Sequence, residues 1–395
     1  MDEDNGYLYL IQQGEVYAPE YLGKKDVLIA GGTIAAVEDR IDLSGDVQVI
    51  DASGKLVLPG FIDNHVHLIG GGGEGGFRTR TPEIQFSEIV QAGVTTAVGC
   101  LGTDGITRNL SDLLAKARAL EEEGITTYIY TGSYQVPVLT LTDSIQKDII
   151  FVDKIIGVGE VAISDHRSSQ PTYNDILKIV SEAYVAGLLS GKAGLVMFHV
   201  GKGSWNIRTL QDILANTDIP ARQLLPTHMD RTPELLKAAL EYIRPGGFVD
   251  LTTSTPSLLP NGKQGSTAAS FLYLLEQGAP ATHILFSSDA QGSIPNFNDE
   301  GQLVGLSVGK IQTLWETVRE LVTRHQVSPE IALLPVTSNP ATLLRLSRKG
   351  RLEAGKDADL LLINAEDFSL DTVFARGRIL MQQSKLRVRG TFETE

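Results

Sequence analysis

The chain has 395 residues, an apolar fraction of 42% and a formal net charge of −14. That length exceeds one ordinary small domain and suits a barrel of about 250 residues with an accessory domain, while the acidic balance excludes the basic face that nucleic acid requires. A single cysteine, Cys100, excludes an internal disulfide framework. No apolar run reaches the roughly 18 residues of a membrane span, and Met1-Asp2-Glu3-Asp4 lacks a basic-then-apolar leader pattern. The expectation is a cytoplasmic protein without membrane contact.

Residues 7 to 57 read as short strands, among them Tyr7–Ile11, Val27–Ala30 and Val47–Ile50, punctuated by Gly31-Gly32 and Ser53-Gly54. From Phe61 the texture changes to apolar runs alternating with amphipathic segments of helical length. The runs are Phe61–His67, Thr95–Thr103, Thr126–Tyr134, Ile155–Ile163, Gly194–Val200, Leu224–His228, Phe248–Thr252 and Ile284–Asp289. Helical periods fall near 83–92, 108–123, 173–189, 207–216, 233–244, 266–277 and 310–325. Continuously apolar strands suit a parallel sheet covered by helices, and eight such units predict a (β/α)8 TIM barrel over 58–349. A doubly wound sheet is the rival, but its Gly-x-Gly-x-x-Gly fingerprint is replaced here by His65-Val66-His67. Strand texture returns at Asp359–Ile363 and Thr372–Leu380, so residues 1–57 and 350–395 predict one discontinuous β-sandwich domain, ending in a polar tail from Thr391.

In such a barrel, polar residues at the C-terminal strand ends carry chemistry. His65 and His67 lie i, i+2 on the first strand and share a face; Glu160 lies on the fourth, His199 ends the fifth, His228 the sixth and Asp289 the eighth. Four histidines and two carboxylates suffice for two divalent ions of the zinc type. His166, His283 and His325 receive no such role, and Cys100 reads as a buried apolar filler. The loop Gly70-Gly71-Gly72-Gly73-Glu74-Gly75-Gly76 follows the first strand onto the catalytic rim, where its glycines allow close approach to a ligand. It is not a phosphate loop, since no Gly-Lys-Ser/Thr follows.

With these motifs the sequence resembles the amidohydrolase superfamily and, more closely, the isoaspartyl (β-aspartyl) dipeptidases. The resemblance covers almost the whole chain: Pro59-Gly60-Phe61-Ile62-Asp63, His65 through Glu74, Leu101-Gly102-Thr103-Asp104, Ala162 through Ser168, Leu225-Pro226-Thr227-His228, Ser287-Ser288-Asp289 and Lys356 through Leu361. The four-glycine loop with Glu74 and the Ser164-Asp165-His166-Arg167 stretch are its narrowest signals. What it implies is a homo-oligomeric two-zinc hydrolase of a dipeptide. His65, His67 and Asp289 hold one ion and His199 and His228 the other, Asp289 also moves the proton, and Tyr134 faces the carbonyl oxygen. Glu74 pairs with the substrate ammonium; Arg167, Arg231 and Ser293 grip its carboxylates; Gly72, Gly73 and Thr103 add polar contacts. Two arginines and one acid match a substrate with two carboxylates and one ammonium.

One departure is plain. The family bridges its metals with a carboxylated lysine on the fourth strand, and here that position is Glu160, preceded by an added residue in Gly157-Val158-Gly159-Glu160. Glutamate bridges with its own carboxylate, but its carboxyl carbon lies nearer the backbone by about 4 Å at full extension. A β-bulge beside Gly159 is the expected compensation. Other readings are a cyclic amidase or deacetylase, disfavoured because a cyclic amide offers Glu74 no ammonium, and a non-catalytic scaffold, disfavoured because every ligand position holds a competent residue.

Overall fold

The computed structural model describes residues 8–297 and 303–394. The chain begins with β1 (Leu8–Tyr17), β2 (Tyr21–Ala30) and β3 (Thr33–Glu38), an antiparallel meander, followed by β4 (Gln48–Asp51) and β5 (Lys55–Pro59), which pair parallel to β1.

The next strands are β6 (Phe61–Val66), β7 (Val94–Gly99), β8 (Thr126–Thr131), β9 (Ile155–Ile163), β10 (Leu195–Val200) and β11 (Leu224–Thr227), which form a six-stranded parallel sheet in sequential order. β6, β7, β9 and β10 are buried at every position, which explains their unbroken apolar texture. β12 (Val249–Thr252) pairs in parallel with β15 (Ile284–Ser287), beyond the short hairpin β13 (Ser257–Leu258) and β14 (Gln264–Gly265). Backbone bonds carry the curl onward: Met229 N donates to Asp250 O (3.1 Å), Asp289 N to His65 O (3.1 Å) and His67 N to Ala290 O (2.9 Å), so the last strand's continuation meets the first.

Helices α1 (Phe86–Gln91), α2 (Leu110–Glu123), α3 (Ile145–Phe151), α4 (Tyr173–Ser190), α5 (Arg208–Asn216), α6 (Pro233–Ile243), α7 (Thr267–Glu276) and α8 (Gln312–Thr323) follow the eight parallel strands in turn. Their starts are written locally. Asn109, Thr172, Thr232 and Ser266 each cap an orphan backbone N–H, and Pro233 stands at the first turn of α6. Among the described residues no helix is long and apolar enough to cross a membrane.

The hairpin β16 (Ser293–Phe297) and β17 (Leu303–Val308) follows the eighth strand. At the far end, β18 (Leu360–Asn364), β19 (Ser369–Ala375), β20 (Arg378–Gln382) and β21 (Lys385–Leu386) join the opening strands in one nine-stranded sheet, order β21-β20-β19-β18-β5-β1-β2-β3, with β4 beside β1. Period-two alternation decides what β18 touches. Leu360 and Leu362 enter a small core with Ile11, Val27 and Phe374, while Leu361 and Ile363 join the main core beneath the parallel strands.

Three expectations need correction. Thr372–Leu380 is not one strand, because Arg376 and Gly377 (φ 49° and 76°) turn the chain between β19 and β20. The third unit carries α3, which no helical period announced. His325 lies beyond the end of α8, with its Nε2 3.3 Å from Glu320. The polar tail makes contacts with the body: Thr391 N donates to the Glu123 carboxylate, and Ser87 N donates to that of Glu393. Glu395 lies outside the described residues.

Candidate metal centre and substrate rim

The six candidate ligands meet at the C-terminal ends of the parallel strands. β6 delivers His65 and is followed by His67; β9 carries Glu160; β10 carries His199. His228 follows β11 directly and Asp289 stands two residues past the end of β15, and both adopt left-handed backbone (φ 66° and 51°). That conformation costs a non-glycine residue about 1–2 kcal/mol, and here it turns both side chains out of their strands toward the centre.

Glu160 stands in the middle. Its Oε1 lies 2.7 Å from His199 Nδ1 and 3.2 Å from His228 Nε2, and its Oε2 lies 3.2 Å from His65 Nε2 and 3.7 Å from His67 Nε2. Asp289 Oδ1 sits 3.0 Å from His67 Nε2 and 3.5 Å from His65 Nε2. One carboxylate thus faces two imidazole pairs, one with each oxygen.

The backbone device behind this reach is visible in the register. Between β9 and β10, Val158 pairs with Val196 but Val161 with Phe198, so β9 carries one extra residue at Gly159-Glu160. This is the bulge that the sequence suggested. A Cβ on Gly157 would stand 2.5 Å from Leu195 O, and one on Gly159 would stand 3.0 Å from Met197 Cβ. Glycine therefore lets the bulged strand lie against β10. The Gly159–Glu160 peptide is cis.

The residues present fit divalent ions. Both ring nitrogens of His65 and Glu160 Oε2 are buried and make no hydrogen bond among the described residues, a costly state for polar atoms unless a cation engages them. Burial pushes the Glu160 carboxyl upward, but the His65 and His199 imidazoles overcome it and hold the group well below its ordinary range. Neutral imidazole and carboxylate donors in such numbers suit ions of the zinc class.

Outer partners orient the ligands. His228 Nδ1 meets Thr252 Oγ1 at 2.6 Å, and His199 Nε2 meets Asp165 Oδ2 at 3.1 Å. Asp165 is gripped by Arg167 through Nε (2.9 Å) and Nη2 (2.8 Å). Burial raises the Asp165 carboxyl and lowers the Arg167 guanidinium, and their mutual bonds reverse both effects, leaving the acid low and the base high.

Most of the remaining predicted residues surround this group. Tyr134 Oη is 2.7 Å from His199 Nδ1. Burial first, then the Glu160 charge, raises its hydroxyl well above the ordinary value, so it stays a donor. Arg231 Nη1 is 3.2 Å from His199 Nε2. Arg167 Nη1 reaches Glu74 Oε1 at 3.0 Å, and Thr103 Oγ1 donates to the same oxygen at 2.9 Å. Gly72 and Gly73 (φ 69° and 102°) hold conformations that suit glycine, and a Cβ on Gly72 would lie 3.1 Å from Ser293 Cβ. That contact places Ser293 against the glycine loop. The His166 side chain is 90% exposed, with its Nδ1 3.5 Å from Asp165 Oδ1.

Sequence reasoning passed over three residues. Asp165 stands two residues before the quoted Arg167 and was findable as the one carboxylate of Ala162–Ser168. Thr252 carries no motif. Arg108 is buried and donates to the carbonyls of Ile69, Gly71 (3.1 Å) and Thr81 (2.9 Å), clamping the root of the glycine loop.

The sequence profile of the amidohydrolase family matches residues 56–380. A solved β-aspartyl dipeptidase from the keratin-degrading thermophile Fervidobacterium islandicum AW-1, in complex with β-Asp-Leu dipeptide, is 46% identical. It aligns over 96% of this chain and 98% of its own with a TM-score of 0.89. A dihydroorotase from Pelotomaculum thermopropionicum is 26% identical over 90% of this chain and 89% of its own. Dihydropyrimidinase from Brevibacillus agri NCHU1002 shares the fold, at 18% identity and a TM-score of 0.68 over 97% of both chains. The chain belongs to the amidohydrolase family, among the β-aspartyl dipeptidases.

Proposed function

We propose that this protein hydrolyses isoaspartyl (β-aspartyl) dipeptides, releasing the N-terminal aspartate, with two zinc-type ions bridged by Glu160. The observation that carries the reading is the Glu160 carboxylate, split between two imidazole pairs below a rim that bears one acid and two arginines. His65, His67 and Asp289 would hold one ion and His199 and His228 the other. When bound, such ions supply a water acidic enough to attack at neutral pH and positive charge near the amide oxygen.

The chain's own residues do the rest. Asp289 accepts the proton of the attacking water at its carboxylate and passes it to the leaving nitrogen. Tyr134 Oη donates to the carbonyl oxygen as charge develops there. Glu74 takes the substrate ammonium, while Arg167, Arg231 and Ser293 take its carboxylates, with Gly72, Gly73 and Thr103 lining the approach. Without substrate, Glu74 and Arg167 pair with each other at 3.0 Å, both partly exposed. A pair of that kind exchanges partners at little expense, so the dipeptide's ammonium and carboxylate take over each half.

The same reading takes the curled sheet as a closed (β/α)8 barrel over 58–349, and the nine-stranded sheet as a β-sandwich domain of 1–57 and 350–395. It also makes the enzyme a homo-oligomer in the cytoplasm, where a lone cysteine is at home.

The test is turnover of β-Asp-Leu against α-Asp-Leu. The β-linked dipeptide is expected to be cleaved at least about 100-fold faster in kcat/KM, a difference of about 2.7 kcal/mol. Comparable rates, or hydrolysis of a cyclic amide in preference to either, would overturn the assignment. Tyr134→Phe is expected to lower kcat about 10²- to 10³-fold with little change in KM, as for loss of one oxyanion donor; steady-state kinetics with β-Asp-Leu reads the split.

A further inference from the structure

Cys100 was expected to be an apolar filler, yet its sulfur stands among the candidate ligands. It follows β7 directly, and its N–H donates to Val66 O (3.0 Å), the carbonyl between His65 and His67. The thiol is fully buried, with Sγ 3.7 Å from His67 Nδ1. One ligand atom each from His65, His67, Cys100 and Glu160 lie within 4.8 Å of one another. The second observation is independent of the cysteine: His65 Nδ1, His65 Nε2 and Glu160 Oε2 are buried and unbonded among the described residues. Gly102 keeps the neighbouring space open, since a Cβ there would stand 2.9 Å from His67 Cε1.

We propose that Cys100 is a sulfur ligand of the ion held by His65, His67 and Glu160, which rests on the metal reading above. Binding releases the thiol proton to solvent as the sulfur–metal bond forms. The two halves of the centre then differ in softness, with sulfur on the Cys100 side and only nitrogen and oxygen on the His199/His228 side. The sulfur half selects zinc or cadmium over magnesium or manganese.

Cobalt(II) substitution of the metal-free protein tests this without recourse to activity. The wild type is expected to show a thiolate-to-cobalt charge-transfer band in the near ultraviolet. Cys100→Ser is expected to bind cobalt, as its ligand-field bands report, without that band. In the zinc-loaded wild type, X-ray absorption is expected to find a sulfur scatterer at about 2.3 Å, and chelator competition a site at least tenfold weaker in Cys100→Ser. Cobalt or zinc bound by the wild type with neither signature would overturn the sulfur ligand and leave the thiol as a hydrogen-bond partner of His67. A wild type that takes up neither metal would overturn the metal reading itself, and the inference with it. The wild-type spectra decide the matter even if the variant fails to fold.

Discussion

Glu160→Gln is expected to reduce bound metal from two ions per chain to one or none, and to lower kcat/KM by at least about 10³-fold, equivalent to about 4 kcal/mol of transition-state stabilisation. The amide keeps the shape of the side chain but removes its charge and replaces one acceptor oxygen with a donor nitrogen. In the native arrangement each oxygen faces its own pair of imidazoles, so no orientation of the amide serves both pairs. Elemental analysis of the purified variant after metal loading checks the first half, and β-Asp-Leu hydrolysis the second. Two ions retained at full occupancy would remove Glu160 from the bridge. The bulge makes a further demand. The extra residue of β9 stands beside Glu160, and we propose that this insertion and the Lys-to-Glu exchange form a coupled pair. Glu160→Lys combined with deletion of Gly159 is therefore expected to bind metal and turn over better, in bicarbonate, than Glu160→Lys alone. If the deletion brings no gain, the coupling is wrong.

How much of this was legible depended on whether the structural cause was local. The eight parallel strands were readable because burial on both faces leaves an unbroken apolar run, as in Leu195–Val200. The candidate ligands stood out because all but Glu160, which lies within β9, fall at or near the end of such a run. α3 escaped because its seven residues are too few to establish a period. The β19–β20 turn escaped because Arg376-Gly377 lacks the Asn-Gly or Asp-Gly signal. The β16–β17 hairpin escaped because Pro295 and Gly305 interrupt its two strands. Thr252 and Arg108 act through contacts with residues 24 and 37–39 positions away in sequence, which no local pattern encodes. Cys100 is the instructive case: burial was foreseen, but which atoms would surround the sulfur depended on how β6 and β7 lie together.

Asp289→Asn is expected to lower kcat about 10²- to 10⁴-fold, with KM for β-Asp-Leu within about threefold and both ions still bound in excess metal. The backbone of Asp289 is tightly held. Its N–H donates to His65 O, its carbonyl accepts from Gly292 N (3.1 Å), and a Cβ on Gly309 would stand 2.4 Å from that carbonyl. Asparagine therefore occupies the same place and keeps an oxygen for His67 and for a metal ion, but it loses the negative charge and the capacity to carry a proton. Burial pushes the Asp289 carboxyl upward, but the His65 imidazole and the bond to His67 more than compensate and hold it well below its ordinary range. A depressed carboxyl is ionised at neutral pH and remains so as the pH falls, until its own low value is reached. The base is thus present throughout the working range, and protonation of Asp289 does not set the acid limb of the wild-type profile near neutrality. Metal analysis separates the two duties assigned to this residue. A large fall in kcat with both ions in place identifies proton transfer as the function lost; the same fall with one ion missing identifies ligation instead, and a fall of less than tenfold removes Asp289 from the proton path.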